Sequence, residues 1–271
     1  MRQDTWPQDN DLNQARSTVT KHSLIYQNQL NPVLMVGARA DFIFREFDEV
    51  LRGNQFQQDY LGFMGADLTE NTTLNFGGGY STATLEDPGP FEQQGSSDSV
   101  IGFASLQSRL TERTTHSFGY SRRQDGGFEA GLEIVDQYRY AIEWHNDVWS
   151  WSYLTLYETV QPRLATVSEY SDWVNQVGAT RVLTRNLTAV ANVAYTVRNN
   201  GEVAAADLNS DQLFVSQDYT TWAVNLGLTQ HLTDHLAAFY YAEHLEQSGS
   251  DPSMDFERDT VGATLTYQYD F

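Results

Sequence analysis

The six histidines are the side chains best suited to acid–base or nucleophilic chemistry, and their neighbours decide whether they can perform it. His116 is followed directly by Ser117. Adjacent residues of a β-strand point to opposite faces, so this pair cannot form the hydrogen-bonded base and nucleophile that acyl transfer requires. No histidine has a serine two positions away, on the same strand face. We therefore expect no catalytic residues and no enzymatic activity; a hydrolase site assembled from distant loop carboxylates stays open as an alternative.

A second candidate is a metal site at the turn where His231 and His235 flank Asp234. Imidazole and carboxylate groups are zinc ligands, but the same residues are ordinary at an exposed polar turn. The chain has no cysteine, which excludes thiolate metal sites and disulfides. We expect no metal site and no cofactor.

Charged side chains of both signs occupy alternate positions within the predicted strands. A charge on the lipid side of a transmembrane strand costs several kcal/mol near the bilayer centre, so these positions are expected to face a polar interior. The candidates are Arg39, Asp41, Arg45, Arg109, Arg139, Glu143 and Glu158. Two functions stay open for them: lining a selective pathway, or filling the interior with ion pairs.

The elements that must position these residues are β-strands, because polar and apolar residues alternate with period two. Tyr138, Tyr140, Ile142 and Trp144 share one face of a run, and Trp222, Val224 and Leu226 share one face of another. Thirteen strands are predicted, at 18–29, 33–46, 57–68, 72–85, 97–110, 114–124, 134–145, 149–160, 170–183, 187–199, 217–232, 236–246 and 258–271. Most exceed ten residues, which is typical of tilted membrane strands.

The connections between the strands are of two kinds. A Leu-Thr turn motif recurs at Leu68, Leu110, Leu183 and Leu232, at intervals that suit hairpins. These short turns contrast with longer polar segments at 86–96, 124–133 and 200–216, which are predicted loops. Short turns are expected at the periplasmic rim and long loops at the outer rim of a membrane barrel.

Composition leads to the same fold class. Tyr, Phe and Trp number 15, 14 and 6, yet mean hydropathy is −0.49. No apolar run is long enough for a transmembrane helix, which leaves a closed β-barrel as the spanning structure. A net charge of −20 argues against nucleic acid as a partner, and we expect none. We predict an all-β, antiparallel up-and-down transmembrane barrel of about 12–14 strands at 18–271.

Residues 1–17 are predicted to be a polar lead-in, and the lack of an apolar leader indicates a mature or truncated chain. Bacterial single-chain barrels have even strand counts, whereas thirteen strands are predicted. Either the run at 18–29 belongs to the lead-in, which gives twelve strands, or further strands bring the count to fourteen or more.

The last predicted strand ends the chain on an aromatic residue. Leu265, Tyr267, Tyr269 and Phe271 lie on one face. This pattern resembles the β-signal by which the barrel-assembly machinery recognises its substrates. The alternative is the edge strand of a soluble β protein, where a long aromatic edge would favour aggregation.

A family resemblance rests on the stretch 109–115, Arg-Leu-Thr-Glu-Arg-Thr-Thr, and on 118–123, Phe-Gly-Tyr-Ser-Arg-Arg. Together with the Leu-Thr turns and the terminal Phe271, these resemble the beta-barrel porin 2 group of outer-membrane proteins. The resemblance covers the chain from about Ser17, and the group's members are longer at the N-terminus. Since that group is often encoded with exopolysaccharide synthesis and export machinery, it implies a related role here.

The expected function is that of a porin-like channel, or of an accessory barrel for exopolysaccharide export, in the bacterial outer membrane. A non-conducting structural or adhesive barrel is the alternative. The expected partners are outer-membrane lipid, lipopolysaccharide and the barrel-assembly machinery, with polysaccharide or small cationic solutes as cargo.

Overall fold

Alternating sequence patterns form thirteen long strands in the computed structural model, which describes residues 17–47, 54–86, 95–127, 131–163, 169–200, 218–233, 235–250 and 255–267. No helix among these residues is long and apolar enough to cross a membrane. The strands are β1 (Ser17–Asn31), β2 (Leu34–Phe47), β3 (Asn54–Thr69), β4 (Thr72–Glu86), β5 (Gly95–Thr111), β6 (Thr114–Gly127), β7 (Gly131–His145), β8 (Trp149–Pro162), β9 (Tyr170–Thr184), β10 (Leu187–Asn200), β11 (Tyr219–His231), β12 (Leu236–Gly249) and β13 (Phe256–Tyr267).

The strands form a single sheet in which each pairs with its neighbours in chain order. Every pairing is antiparallel, which confirms the predicted up-and-down all-β architecture. β1 pairs with β2 from Ser17↔Phe47 to Asn31↔Leu34, so the run at 18–29 is a strand and not a lead-in. The sheet order ends on β1 and β13, which run in the same direction because both have odd numbers.

The short turns lie at one rim and are closed by side chains. In the Leu-Thr motif the threonine hydroxyl accepts a hydrogen bond from the backbone N–H two residues later. The Oγ1–N distances are 3.2, 3.2, 3.3 and 3.3 Å at Thr69, Thr111, Thr184 and Thr233. Asn31 and Asn146 do the same at two further turns. The recurring motif is therefore a local side-chain turn that reverses the chain between strands.

One face of the sheet, here called the aromatic face, carries large apolar side chains in register. Tyr120, Tyr138, Tyr157 and Trp173 are consecutive cross-strand partners on β6 to β9. Closer to the short turns, Trp144 pairs with Trp151 on the same face. Two such aromatic rows are typical of the girdles at the two interfaces of a membrane barrel.

The side chains predicted to face lipid lie on this aromatic face. Tyr138, Trp222 and Leu226 are exposed. Tyr140, Ile142, Trp144 and Val224 are half-buried, and none of the seven is buried. A two-sheet sandwich would bury this face, so the exposure agrees with a wall that is covered by lipid.

The opposite face, here called the polar face, holds most of the buried residues near the long-loop rim. These are Asp41, Gln55, Gln57, Ser81, Ala83, Leu85, Ser97, Ser99 and Ile101. A single curved sheet would leave this face open to solvent, so something must cover β2 to β5 there.

Candidate functional site: a hairpin folded against the polar face

Residues 123–127 at the end of β6 and residues 131–135 at the start of β7 cover this part of the polar face. Together they are called the folded hairpin. β5 and β6 pair only as far as Gly102↔Arg122. β6 and β7 continue to pair as far as Gly127↔Gly131. Beyond Arg122 the hairpin is therefore detached from β5 and can leave the plane of the wall. The sequence prediction of a loop at 124–133 is wrong over most of its length, because this Gly-rich stretch still pairs its backbone.

Polar contacts fix the folded hairpin to strands that are not its neighbours. The Arg45 guanidinium of β2 forms a 3.1 Å ion pair with Asp125. The Gln57 side-chain amide of β3 donates to the Gln124 carbonyl at 2.8 Å. The Gln124 side-chain amide in turn donates to the Ser97 carbonyl of β5 at 3.0 Å. The side-chain N–H groups of Gln57 and Gln124 are therefore paired, and breaking these bonds would leave buried donors unsatisfied, whereas Gln124 Oε1 has no hydrogen-bond partner among the described residues.

Apolar side chains pack together beside these polar contacts. Leu132 of the hairpin packs with Ala83 and Leu85 of β4, and all three are at most 1% exposed. The four consecutive residues Leu132 to Val135 are buried, so both faces of this part of β7 are covered. A strand of a simple barrel wall keeps one face towards lipid and the other towards the lumen. The hairpin therefore stays joined to the wall through β8, from Glu133↔Pro162 to Val135↔Val160, while its β6 side folds over the polar face of β2 to β5.

The other side of the hairpin is tied to β8. Arg123 lies 3.3 Å from a Glu158 carboxylate oxygen, and the Gln137 amide donates to the same oxygen at 2.8 Å. The Arg163 N–H donates to the Leu132 carbonyl at 2.7 Å. The hairpin is thus held between β8 on one side and β2 to β5 on the other.

A polar network continues along the face below the hairpin. Asp41, 2% exposed, accepts from Arg39 Nε at 2.9 Å and lies 3.1 Å from Lys21 Nζ. Asp59 accepts from the Gln57 amide at 2.9 Å and from the Ser81 hydroxyl at 2.6 Å. Both carboxylates are therefore matched by donors, as the buried Asp41 requires and as the half-buried Asp59 also shows.

A third cluster lies at the same rim on β9 to β11. The Arg198 guanidinium forms a bidentate pair with the Asp172 carboxylate, with N–O distances of 2.8 and 2.7 Å. The rings of Tyr170 and Tyr219 lie 4.4 and 5.1 Å from the guanidinium carbon. Two hydrogen bonds and two ring contacts fix this guanidinium in place.

The candidate residues of the sequence are distributed over these features. Arg39, Asp41, Arg45 and Glu158 lie in the networks described above. Arg139 and Glu143 lie on the polar face, exposed, and nearer the short turns than the hairpin. Arg109 lies at the short-turn rim, where it donates to Asn71 Oδ1 at 3.0 and 2.7 Å.

The C-terminal candidates are only partly described. Leu265 and Tyr267 are exposed in register with the aromatic face of β12. Tyr269 and Phe271 lie outside the described residues, as does Asp234 of the candidate metal turn.

Sequence reasoning missed Gln124, Asp125, Leu132, Asp172 and Arg198. Asp172 and Arg198 occupy inward positions of predicted strands and could have been found by extending the alternation. The hairpin residues carried no such signal, because their sequence is typical of a loop.

No protein-family model matches this sequence, and neither does any curated protein sequence. Solved structures do resemble it. The chain is similar to the FrpB iron transporter from Neisseria meningitidis (F3-3 variant), with a TM-score of 0.61 and 11% identity. That likeness covers 92% of this chain and 47% of the other, so this chain spans about half the length of that transporter.

Two further structures superpose less well. The loop L8 deletion mutant of OmpT, an outer membrane protein of Vibrio cholerae, gives a TM-score of 0.44 at 10% identity, over 93% of this chain and 99% of that one. A Pseudomonas aeruginosa FadL homologue gives 0.43 at 13% identity, over 90% and 75%. The fold assignment rests on the first likeness and on the two faces of the sheet. The chain has the fold of an outer-membrane β-barrel, with an aromatic face suited to lipid, and it is located in the bacterial outer membrane.

Proposed function

We propose that this chain forms a pore across the outer membrane, with an outer mouth that the folded hairpin narrows. The observation that carries the proposal is the hairpin itself, which is buried against the polar face and tied to non-neighbouring strands. A barrel of this many strands encloses more space than its own side chains fill. An internal hairpin reduces the open cross-section without closing it, because the described hairpin contacts lie on β2 to β5 and β8.

The remaining path would run along β9 to β13. Hydroxyl and amide side chains occupy much of the polar face there: Gln176, Asn192, Thr196, Thr221 and Asn225. The charged pairs on this part of the face, Arg198–Asp172 and Arg258–Glu243, are internally neutralised. A lining of neutral hydrogen-bonding groups suits hydrophilic solutes, since it replaces part of their hydration without binding one charge strongly.

The net charge of −20 supports entry of cationic solutes in preference to anions. Carboxylates at a channel mouth raise the local concentration of cations. Arg139 and Glu143 are both exposed on the polar face, so a local filter would carry both signs. We therefore assign the preference for cations to the carboxylates at the channel mouth.

A narrower form of the proposal is an accessory role in exopolysaccharide export. It rests on the resemblance of 109–123 to the beta-barrel porin 2 group, and the neutral hydroxyl and amide lining supports it. Deletion of the gene should then lower secreted polysaccharide without changing its intracellular synthesis. Unchanged secretion would remove this narrower role and leave the pore.

Liposome swelling tests the pore itself. Refolded chain should admit small neutral sugars and exclude larger ones. A trimmed variant, in which a Gly-Ser turn replaces residues 124–134, should admit larger sugars, because it removes the cover over β2 to β5. Arg123 and Val135 are register partners that a short turn can join, and the β7–β8 pairing is lost only at Glu133 and Ile134. Arg109→Met, at the short-turn rim, is the control and should leave the size limit unchanged. Folded protein that admits no solute would contradict the proposal.

A further inference from the structure

The outer end of the β12–β13 hairpin brings together side chains that none of the networks above includes. His244 is the cross-strand partner of Asp259, and Glu246 is the partner of Glu257. His244 Nδ1 lies 2.9 Å from Asp259 Oδ1 and 3.9 Å from Glu257 Oε1. One ligand atom from each of His244, Glu257 and Asp259 lies within 4.8 Å of the other two.

The carboxylates of this cluster are not balanced by lysine or arginine among the described residues. Glu246 and Glu257 are carboxylates directly opposite one another, an arrangement that destabilises a strand pair. In the parts of β11 to β13 that the structure describes, no lysine or arginine forms an ion pair with Glu246, Glu257 or Asp259. Arg258 lies on the opposite face and pairs with Glu243 at 3.1 Å. A bound cation would remove the like-charge repulsion that the sheet otherwise carries.

The cluster lies on the aromatic face, where the apolar surface of the two strands ends. Tyr240 and Ala242 precede His244 on β12, and Val261 and Ala263 follow Asp259 on β13. Charged groups on the lipid side are costly at the midplane and nearly free of cost at the interface. The cluster therefore marks the outer interface, where ions from the medium reach it.

We propose that His244, Glu257 and Asp259 form a site for a divalent transition-metal ion such as Zn²⁺. An imidazole with carboxylates is a donor set that Zn²⁺ accepts, with Glu246 or water in the fourth position. Ca²⁺ and Mg²⁺ prefer oxygen ligands alone, so the imidazole favours zinc over them. A bound ion would link β13 to β12. The site is independent of the proposed pore.

If the cluster binds no metal, it is a simple His244–Asp259 charge pair. Titration with metal distinguishes this pair from the proposed metal site. Full-length refolded protein in detergent is titrated with ZnCl₂ by calorimetry at pH 7.5. We expect one saturable site and a rise in Tm on zinc addition. His244→Ala and Glu257→Gln should each weaken zinc binding at least tenfold. At pH 5.5 binding should weaken in the wild type, because protons compete for the imidazole.

His116→Ala is the matched control, since His116 also lies on the aromatic face but opposite Ile142 and edge-on to Tyr140. This variant should bind zinc as the wild type does. Heat-modifiable gel mobility confirms that each variant is folded. Absence of saturable binding below about 1 mM, or equal binding by wild type, His244→Ala and Glu257→Gln, would overturn the proposal.

Discussion

Arg45 of β2 and Asp125 of β6 form a 3.1 Å ion pair, although β3, β4 and β5 lie between their strands in the sheet. In an up-and-down sheet, strands this far apart can meet only across the interior. The detachment of β6 from β5 after Arg122 lets the end of β6 reach β2 there. This pair therefore reports directly on the position of the folded hairpin.

Arg45→Met should loosen the hairpin while the wall stays intact. The pair is partly exposed, so its loss is expected to cost at most about 1 kcal/mol, or roughly a fivefold larger population of detached hairpin. Limited proteolysis in liposomes should show faster cleavage within 124–134. Arg109→Met, at the short-turn rim, is the control and should leave that rate unchanged. Equal cleavage rates in Arg45→Met and wild type would show that the ion pair does not hold the hairpin.

Adjacent glycines of β4 should respond differently to alanine. A Cβ at Gly79 would overlap the Tyr60 carbonyl oxygen and come within 2.8 Å of Leu61 Cα, both backbone atoms of β3. A Cβ at Gly78 would meet nothing closer than 3.8 Å. Gly79→Ala is expected to destabilise the barrel by about 1–3 kcal/mol, and Gly78→Ala by much less. Urea unfolding in liposomes measures both; equal stabilities would refute the packing described for β3 and β4.

The C-terminal aromatic is proposed to act in assembly through the barrel-assembly machinery. Phe271→Ala, or deletion of 269–271, should lower the amount of folded barrel in the outer membrane far more than it lowers the unfolding free energy of refolded protein. Heat-modifiability in membrane fractions reports the first quantity and urea unfolding the second. Wild-type amounts in the membrane after the deletion would remove the assembly role.

Period-two alternation and the turn motif predicted all thirteen strands, because both signals are local. The bounds differ by a few residues: β3 begins at Asn54 where 57 was predicted, and β13 begins at Phe256 where 258 was predicted. The outer end of the β6–β7 hairpin, residues 124–133, was predicted as a loop, since its Gly and Asp content is typical of loops. Whether such a hairpin stands outside the barrel or folds inward depends on contacts that are distant in sequence.

The partners of the candidate charges also depend on contacts that are distant in sequence. Arg45 and Glu158 were predicted to face the interior, and each lies in an ion pair there. Their partners, Asp125 and Arg123, lie 80 and 35 residues away and were not identified. Alternation assigns a side chain to a face, but the partner on that face is fixed by the fold of the hairpin.

Single-channel conductance of refolded protein in planar bilayers tests the central claim most directly, by comparing wild type with the trimmed variant that lacks residues 124–134. If the folded hairpin narrows the outer mouth, wild type should conduct, and the trimmed variant should show a larger unitary conductance. Reversal potentials in a salt gradient should show cation preference in both. No conductance from folded wild type, or identical unitary conductance in the two proteins, would contradict the account.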